Sequence, residues 1–274
     1  MKRIEILHIP FDRIVSSEIF PKVDAFVQSH HQHIIVTPNP EMVLESRKNK
    51  ELQAVLQSSS LSLADGIGIL WAAKFLSLPS SPKVRIFFQW IGTLLSLIFL
   101  PAYCKTILPQ RVTGVDSMKQ ICSYCEQKKY SIFLLGGKEN VANKTKNVLE
   151  TWFPHIRIVG TYAGHPFTED DEEILTRINA VKPQILFVAF GSPKQELWIR
   201  TYLAQIPSIK VAMGIGGAFD FISGTIKRAP LWMQKTGLEW LYRLFQEPKK
   251  RIPRIWNAVV IFPLQVLLYK LKGN

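Results

Sequence analysis

Short apolar runs alternate with amphipathic stretches along most of this chain. Runs at 4–9, 33–37, 61–64, 131–135, 157–160, 185–190 and 210–214 read as strands. Helical periodicity fills 116–128, 140–151, 169–181 and 194–205 between them. The strands are almost uniformly apolar rather than alternating. That pattern predicts an α/β fold: a Rossmann-like, mostly parallel sheet with helices on both faces. Ligands of such sheets bind at the carboxyl ends of the strands, so informative residues should follow strands directly. No internal repeat is apparent.

Two stretches break the pattern. Residues 86–104 run for nineteen positions without a charge, bounded by Arg85 and Lys105. Length alone makes this a transmembrane candidate. The flanking segments belong to one sheet domain, however, and a single crossing would separate them. A helix or hairpin that enters one leaflet and bends back at Pro101 is expected instead; a buried core helix is the plainer alternative. Residues 255–269 form a second uncharged run, interrupted by Pro263. Fifteen residues make roughly 22 Å of helix, short of a core of about 30 Å.

Charge changes the picture near that second run. The chain has 274 residues and a formal net charge of +13. Ten Lys/Arg against two acids fall in 227–274, so over half of the excess is local. An anionic surface or polyanion is implied. Basic residues beside an apolar, Trp-containing stretch fit a segment in the lipid headgroup region. Nucleic acid would call for basic residues interleaved with exposed aromatics, so no nucleic-acid partner is expected. A buried helix with a solvated basic face is the alternative. The first residues are charged and carry no long apolar run, unlike a secretory signal. A catalytic domain over 1–240, with an apolar insertion at about 81–107, and a membrane-associating basic amphipathic appendage over 241–274 are expected. A chain cut near Gln246 should stay folded and lose liposome binding.

The candidate chemistry sits after strands. Thr37-Pro38-Asn39-Pro40 offers short polar groups on a stiff backbone, or a helix cap. Asp65, between Ala64 and Gly66, is placed for a general base, or caps the next helix. Gly136-Gly137 permits a close backbone approach or makes a tight turn. Gly191 to Glu196 opens a helix with Ser192, Lys194 and Gln195, either an anion site or an ordinary helix start. Residues 214–220, with Gly216, Gly217 and Asp220, resemble a dinucleotide glycine loop but lack its spacing and downstream acid.

Other groupings carry less. Cys122 and Cys125 form a lone pair on a helix with no second pair for zinc, and half-buried thiols are expected. His30, His31 and His33 lack partners at metal spacing. The acidic run 169–173 reads as a solvated helix start. No Asp-x-Asp occurs, which argues against a metal-gripped sugar diphosphate; no cofactor is expected.

Several motifs occur together in order: ThrProAsnPro at 37–40, AlaAspGlyIleGly at 64–68, ArgValThrGlyValAsp at 111–116 and GlySerProLysGlnGluLeuTrp at 191–198. GlyIleGlyGlyAlaPheAspPhe at 214–221 follows, then LysArgAlaPro at 227–230 with GlyLeuGluTrpLeuTyrArgLeu at 237–244. Together they resemble the WecG/TagA/CpsF glycosyltransferase family over about 4–254. The resemblance implies an inverting transfer of N-acetylmannosamine or a related sugar. The donor would be a UDP-sugar and the acceptor a polyprenyl-diphosphate-linked amino sugar, at the cytoplasmic face of a bacterial plasma membrane. It implies Asp65 as catalytic base and Thr37, Asn39, Arg111 and Gln195 as site groups. Arg243, Arg251 and Arg254, with Lys249 and Lys250 nearby, would face the lipid diphosphate or the membrane. The family offers monomers and homo-oligomers. Residues 81–107 and the apolar tail depart from its pattern. A non-catalytic, membrane-bound nucleotide-sugar scaffold or sensor is the competing reading.

Overall fold

The computed structural model describes residues 3–79, 82–236 and 239–273, with the side chains of 234–236 and 250 left out. Six parallel strands form the central sheet: β3 (His33–Val36), β4 (Leu61–Ser62), β5 (Ser131–Gly136), β6 (Arg157–Tyr162), β7 (Ile185–Ala189) and β8 (Val211–Gly214). Their order across the sheet is β4-β3-β8-β7-β5-β6. β5 and β8 are buried at every position, as expected of strands covered on both faces.

The expected strand at 4–9 is instead a hairpin, β1 (Arg3–Ile6) and β2 (Ile9–Asp12). Leu7 and His8 turn the chain with φ of 50° and 70°. Positive φ at both central residues matches the twist of a two-residue hairpin, and no Asn-Gly signals it here.

Helices α1 (Ser16–Gln28), α7 (Gly114–Lys128) and α8 (Val141–Trp152) cover one sheet face. On the other, α9 (Asp170–Val181) and α10 (Lys194–Tyr202) pack around Trp198 and Phe133. A third apolar cluster joins the hairpin to α2 (Pro40–Ser46), α3 (Lys50–Ser58) and α4 (Ile67–Ser77). Cys122 and Cys125 lie wholly inside the first cluster, deeper than expected, and burial raises both thiol pKa values. His33 stacks on Phe26 and hydrogen-bonds Ser29 and Ser60, which accounts for it structurally. The acidic run is not wholly solvated: Asp171 is buried and accepts from Trp198 Nε1 (2.6 Å) and the Tyr202 hydroxyl (2.9 Å).

The uncharged stretch forms α5 (Lys83–Phe99) and α6 (Pro101–Cys104). The bend falls at Leu100, with Pro101 opening the second helix as expected. After α11 (Ala218–Ile222) come α12 (Leu231–Thr236), α13 (Glu239–Gln246) and α14 (Pro248–Trp256). A π turn over Asn257–Ile261 leads into α15 (Phe262–Leu271). Phe262, Val266 and Leu267 of α15 enter the same cluster as Trp71 and Phe75 of α4. A cut near Gln246 therefore removes core, contrary to the expectation that the fold would survive unchanged.

Candidate active site

The loops after β4, β3 and β8 lie side by side at the carboxyl edge of the sheet. Asp65 follows the end of β4. Its N–H donates to Pro38 O (3.2 Å), which ties this loop to the one after β3. Val112 N donates to Ala64 O (2.9 Å) and draws Arg111 alongside. Gly66, at φ 108°, turns the chain into α4 and occupies the cap position with no side-chain cap bond. Asp65 is thus not the helix cap. Burial pushes its carboxyl pKa up to about 6. Arg111 pulls it down, Glu239 and Asp116 push it up, and Arg243 pulls it down again.

Thr37 is buried at the end of β3, where Gly114 packs against it: a Cβ on Gly114 would lie 3.7 Å from Thr37 Oγ1. Asn39 caps α2, its Oδ1 accepting from Met42 N (3.0 Å), so the cap reading holds for Asn39. The glycine that ends β5 serves packing. Gly136 sits at φ 98° with a Cβ position only 2.8 Å from Ala189 C, and Gly137 N donates to Ala189 O. Ser192 is exposed at the mouth of the β7 loop.

Gln195 differs from a ligand-facing residue. It is buried, and its Oε1 accepts from Gly191 N (3.1 Å) and Gly216 N (3.0 Å). Its Nε2 donates to Glu196 Oε1 (2.7 Å). The side chain clamps two site loops together from beneath. A Cβ on Gly214 would sit 2.6 Å from Gln195 Nε2, so the first glycine of that loop is there to admit this amide. Gly216, at φ 53°, has open space where a side chain would point.

The appendage returns to this edge. A Cβ on Gly217 would lie 3.7 Å from both Arg243 Nη2 and Asp220 Oδ2. The Arg243 guanidinium lies 4.8 Å over the Phe221 ring, and its Nε is buried with no hydrogen-bond partner. Burial, then Arg251, lowers its pKa to about 10, so it stays cationic at neutral pH. Arg251 pairs with Glu247 (2.9 Å), and Arg254 reaches Glu41 (3.6 Å). Lys249 is exposed; the Lys250 side chain lies outside the described residues.

Sequence reasoning missed Arg228. Its Nη1 and Nη2 grip Asp116 at 2.7 and 3.0 Å, and its Nε donates to Glu239 (3.2 Å). Thr113 caps α7 and donates to the same Asp116 (2.7 Å). The signal was present, since 111–116 ends on Asp116 and 227–230 holds Arg228. Through Glu239, at the start of α13, the same cation ties the segment bearing Arg111 to the helix that opens the appendage.

The sequence model of the "Glycosyl transferase WecG/TagA/CpsF family" matches residues 4–97 and 91–274, together nearly the whole chain. This chain belongs to that glycosyltransferase family. The two matched pieces meet inside α5, the helix that departs from the expected pattern. Three similar proteins carry the name N-acetylglucosaminyldiphosphoundecaprenol N-acetyl-beta-D-mannosaminyltransferase. The one from Bacillus spizizenii is 32% identical over 232 residues, covering 85% of this chain and 76% of its own. That from Bacillus subtilis is 29% identical over 272 residues, covering 97% and 91%. That from Staphylococcus aureus strain MRSA252 is 29% identical, covering 98% and 94%.

Proposed function

We propose that this glycosyltransferase moves N-acetylmannosamine, or a closely related sugar, from a UDP donor to a polyprenyl-diphosphate-linked amino sugar with inversion. The observation that carries the reading is Asp65, held at a strand end between cations with a carboxyl pKa of about 6. Mostly ionised at neutral pH, it still gains from taking a proton. The names of the similar proteins support the sugar and the acceptor.

In this reading a hydroxyl of the acceptor sugar attacks the anomeric carbon of the donor. The new C–O bond forms as the bond to UDP breaks, and Asp65 takes the hydroxyl proton. The electron pair leaves with the UDP phosphate oxygen. The N–H groups of Gly191, Gln195 and Gly216 already have partners inside the protein. The cationic side chains of Arg111 and Arg243 offset the growing charge. Arg251 and Arg254 stand beside them for the acceptor diphosphate. The anionic surface of a membrane's cytoplasmic face, where that acceptor resides, fits the basic appendage.

The test is a panel of UDP-sugars offered with a short-chain lipid-diphosphate amino sugar, with and without chelator. Product formation with inverted anomeric configuration, unaffected by chelator, is expected. UDP binding without turnover of any sugar would favour the scaffold or sensor instead.

A further inference from the structure

We propose that α5 and α6 form an in-plane membrane platform, with the outer face of α5 immersed in one anionic leaflet and its basic ends among the headgroups. This rests on the lipid-borne acceptor proposed above and adds where the leaflet meets the protein.

The helix is apolar on both sides: Ile86 is buried and Trp90, Leu94 and Leu97 pack inward, yet the outer side is apolar too. Val84, Phe87, Phe88, Ile91, Leu95 and Ile98 are exposed, Ile98 to 73%. Their spacing of three and four places them on one stripe. The inner side carries Thr93 and Ser96, only 3% and 8% exposed. Their hydroxyls are satisfied there. Thr93 Oγ1 accepts from Trp71 Nε1 (3.1 Å) and donates to Trp90 O, and Ser96 donates to Thr93 O (2.7 Å). A helix facing water would carry polar residues along that outer stripe.

Charge selects lipid over a second copy of the chain. Residues 66–115 contain no acid and hold Lys74, Lys83, Arg85, Lys105 and Arg111. Lys83 and Arg85 open α5, at the positive end of the helix dipole, with no acidic residue in its first turn. An anionic headgroup layer offsets that arrangement. A two-fold contact between copies would instead bring cations at one end of this helix pair against those at the other, with no acid between them.

The orientation follows from length and anchoring. Seventeen residues make about 25 Å of helix, less than a hydrocarbon core of about 30 Å. The helix Arg251–Leu271 is long and apolar enough to cross, but its far end is fastened to the body. Lys270 Nζ donates to Phe75 O (2.6 Å) and Leu78 O (2.9 Å), and Tyr269 donates to Glu5. Trp90 Nε1 donates to Pro263 O (3.0 Å), tying α5 to α15. Exposed Trp256, Val259, Leu264 and Leu268 extend the apolar surface along that second helix. Its π turn absorbs the five-residue step from Val259 to Leu264. Arg111 follows Lys105 by six positions, no more than about 20 Å of chain. Immersion of the platform therefore sets the height of the site above the headgroups.

The test uses the full chain with the double variant Phe88→Glu/Ile98→Glu, and Phe88→Trp as a depth probe. Wild type should float with phosphatidylglycerol vesicles, and the double variant should bind them roughly tenfold less well or worse. Phe88→Trp should gain fluorescence that acyl-brominated lipid quenches. The double variant's rate on a short-chain acceptor in solution should match wild type. Unchanged flotation of the double variant, or added fluorescence in Phe88→Trp that brominated lipid leaves unquenched, overturns the proposal. So does a dimer that the double variant breaks without change in flotation. Failure of wild type on every soluble acceptor, with flotation and quenching as expected, would overturn the transfer reading and leave the immersion standing.

Discussion

At the scale of residues, the proposed base Asp65 would couple catalysis to stability. Its carboxyl pKa is raised from 3.8 to about 6, mainly by burial. The folded state therefore holds a proton that the unfolded state releases between those values. Stability falls as pH rises through that window and is flat above it. Asp65→Asn should melt higher than wild type at pH 8, by at most about 3 kcal/mol before solvent screening. The gap should close as pH drops toward 4, as thermal melts across pH would show. The wild-type kcat/KM should rise with pH through about 6 and level off, since only the ionised carboxylate accepts a proton. Arg228 acts at one remove. Arg228→Ala frees Asp116 and Glu239, both of which push the Asp65 pKa up, from their shared cation. The acid limb of that profile should move to higher pH, while Arg228→Lys restores part of it.

Elements decide how the loops are held. Gln195 gives one oxygen to the N–H groups of Gly191 and Gly216. Gln195→Ala leaves both without that acceptor, at about 1–3 kcal/mol each where water cannot replace it. Denaturant titration should show the loss, with turnover falling further than stability alone explains. The last helix is a core element as well. Phe262 is fully buried and stands against Gly68, so Phe262→Ala should cost about 3–5 kcal/mol. The sheet was legible because buried parallel strands leave uninterrupted apolar runs. The hairpin was not, because Leu7-His8 carries no turn signature. An uncharged run cannot show which face points inward, so the exposed apolar stripe of α5 emerged only from the fold. Motif order drew attention to Asp65 and the arginines as candidates. Arg228 and the Gly216 arm of the Gln195 clamp act through distant pairing that no local spacing records.

In the proposed reaction the whole molecule sets a soluble donor against a greasy acceptor. Cations gather at the carboxyl edge and along the appendage, and apolar surface lies on α5 and the terminal helix. Vesicle binding should weaken as ionic strength rises, because headgroup attraction is screened over about 10 Å at 0.1 M salt. Whatever remains at high salt reports the apolar part. The proposed transfer still depends on the carboxylate at the centre of that edge. The most direct measurement is the turnover of Asp65→Asn, with donor UDP-sugar and short-chain lipid-diphosphate acceptor, alongside its affinity for UDP. Turnover below the limit of detection with UDP affinity near that of wild type is the predicted result. Retention of more than about a tenth of the wild-type rate would place the base elsewhere and contradict the account.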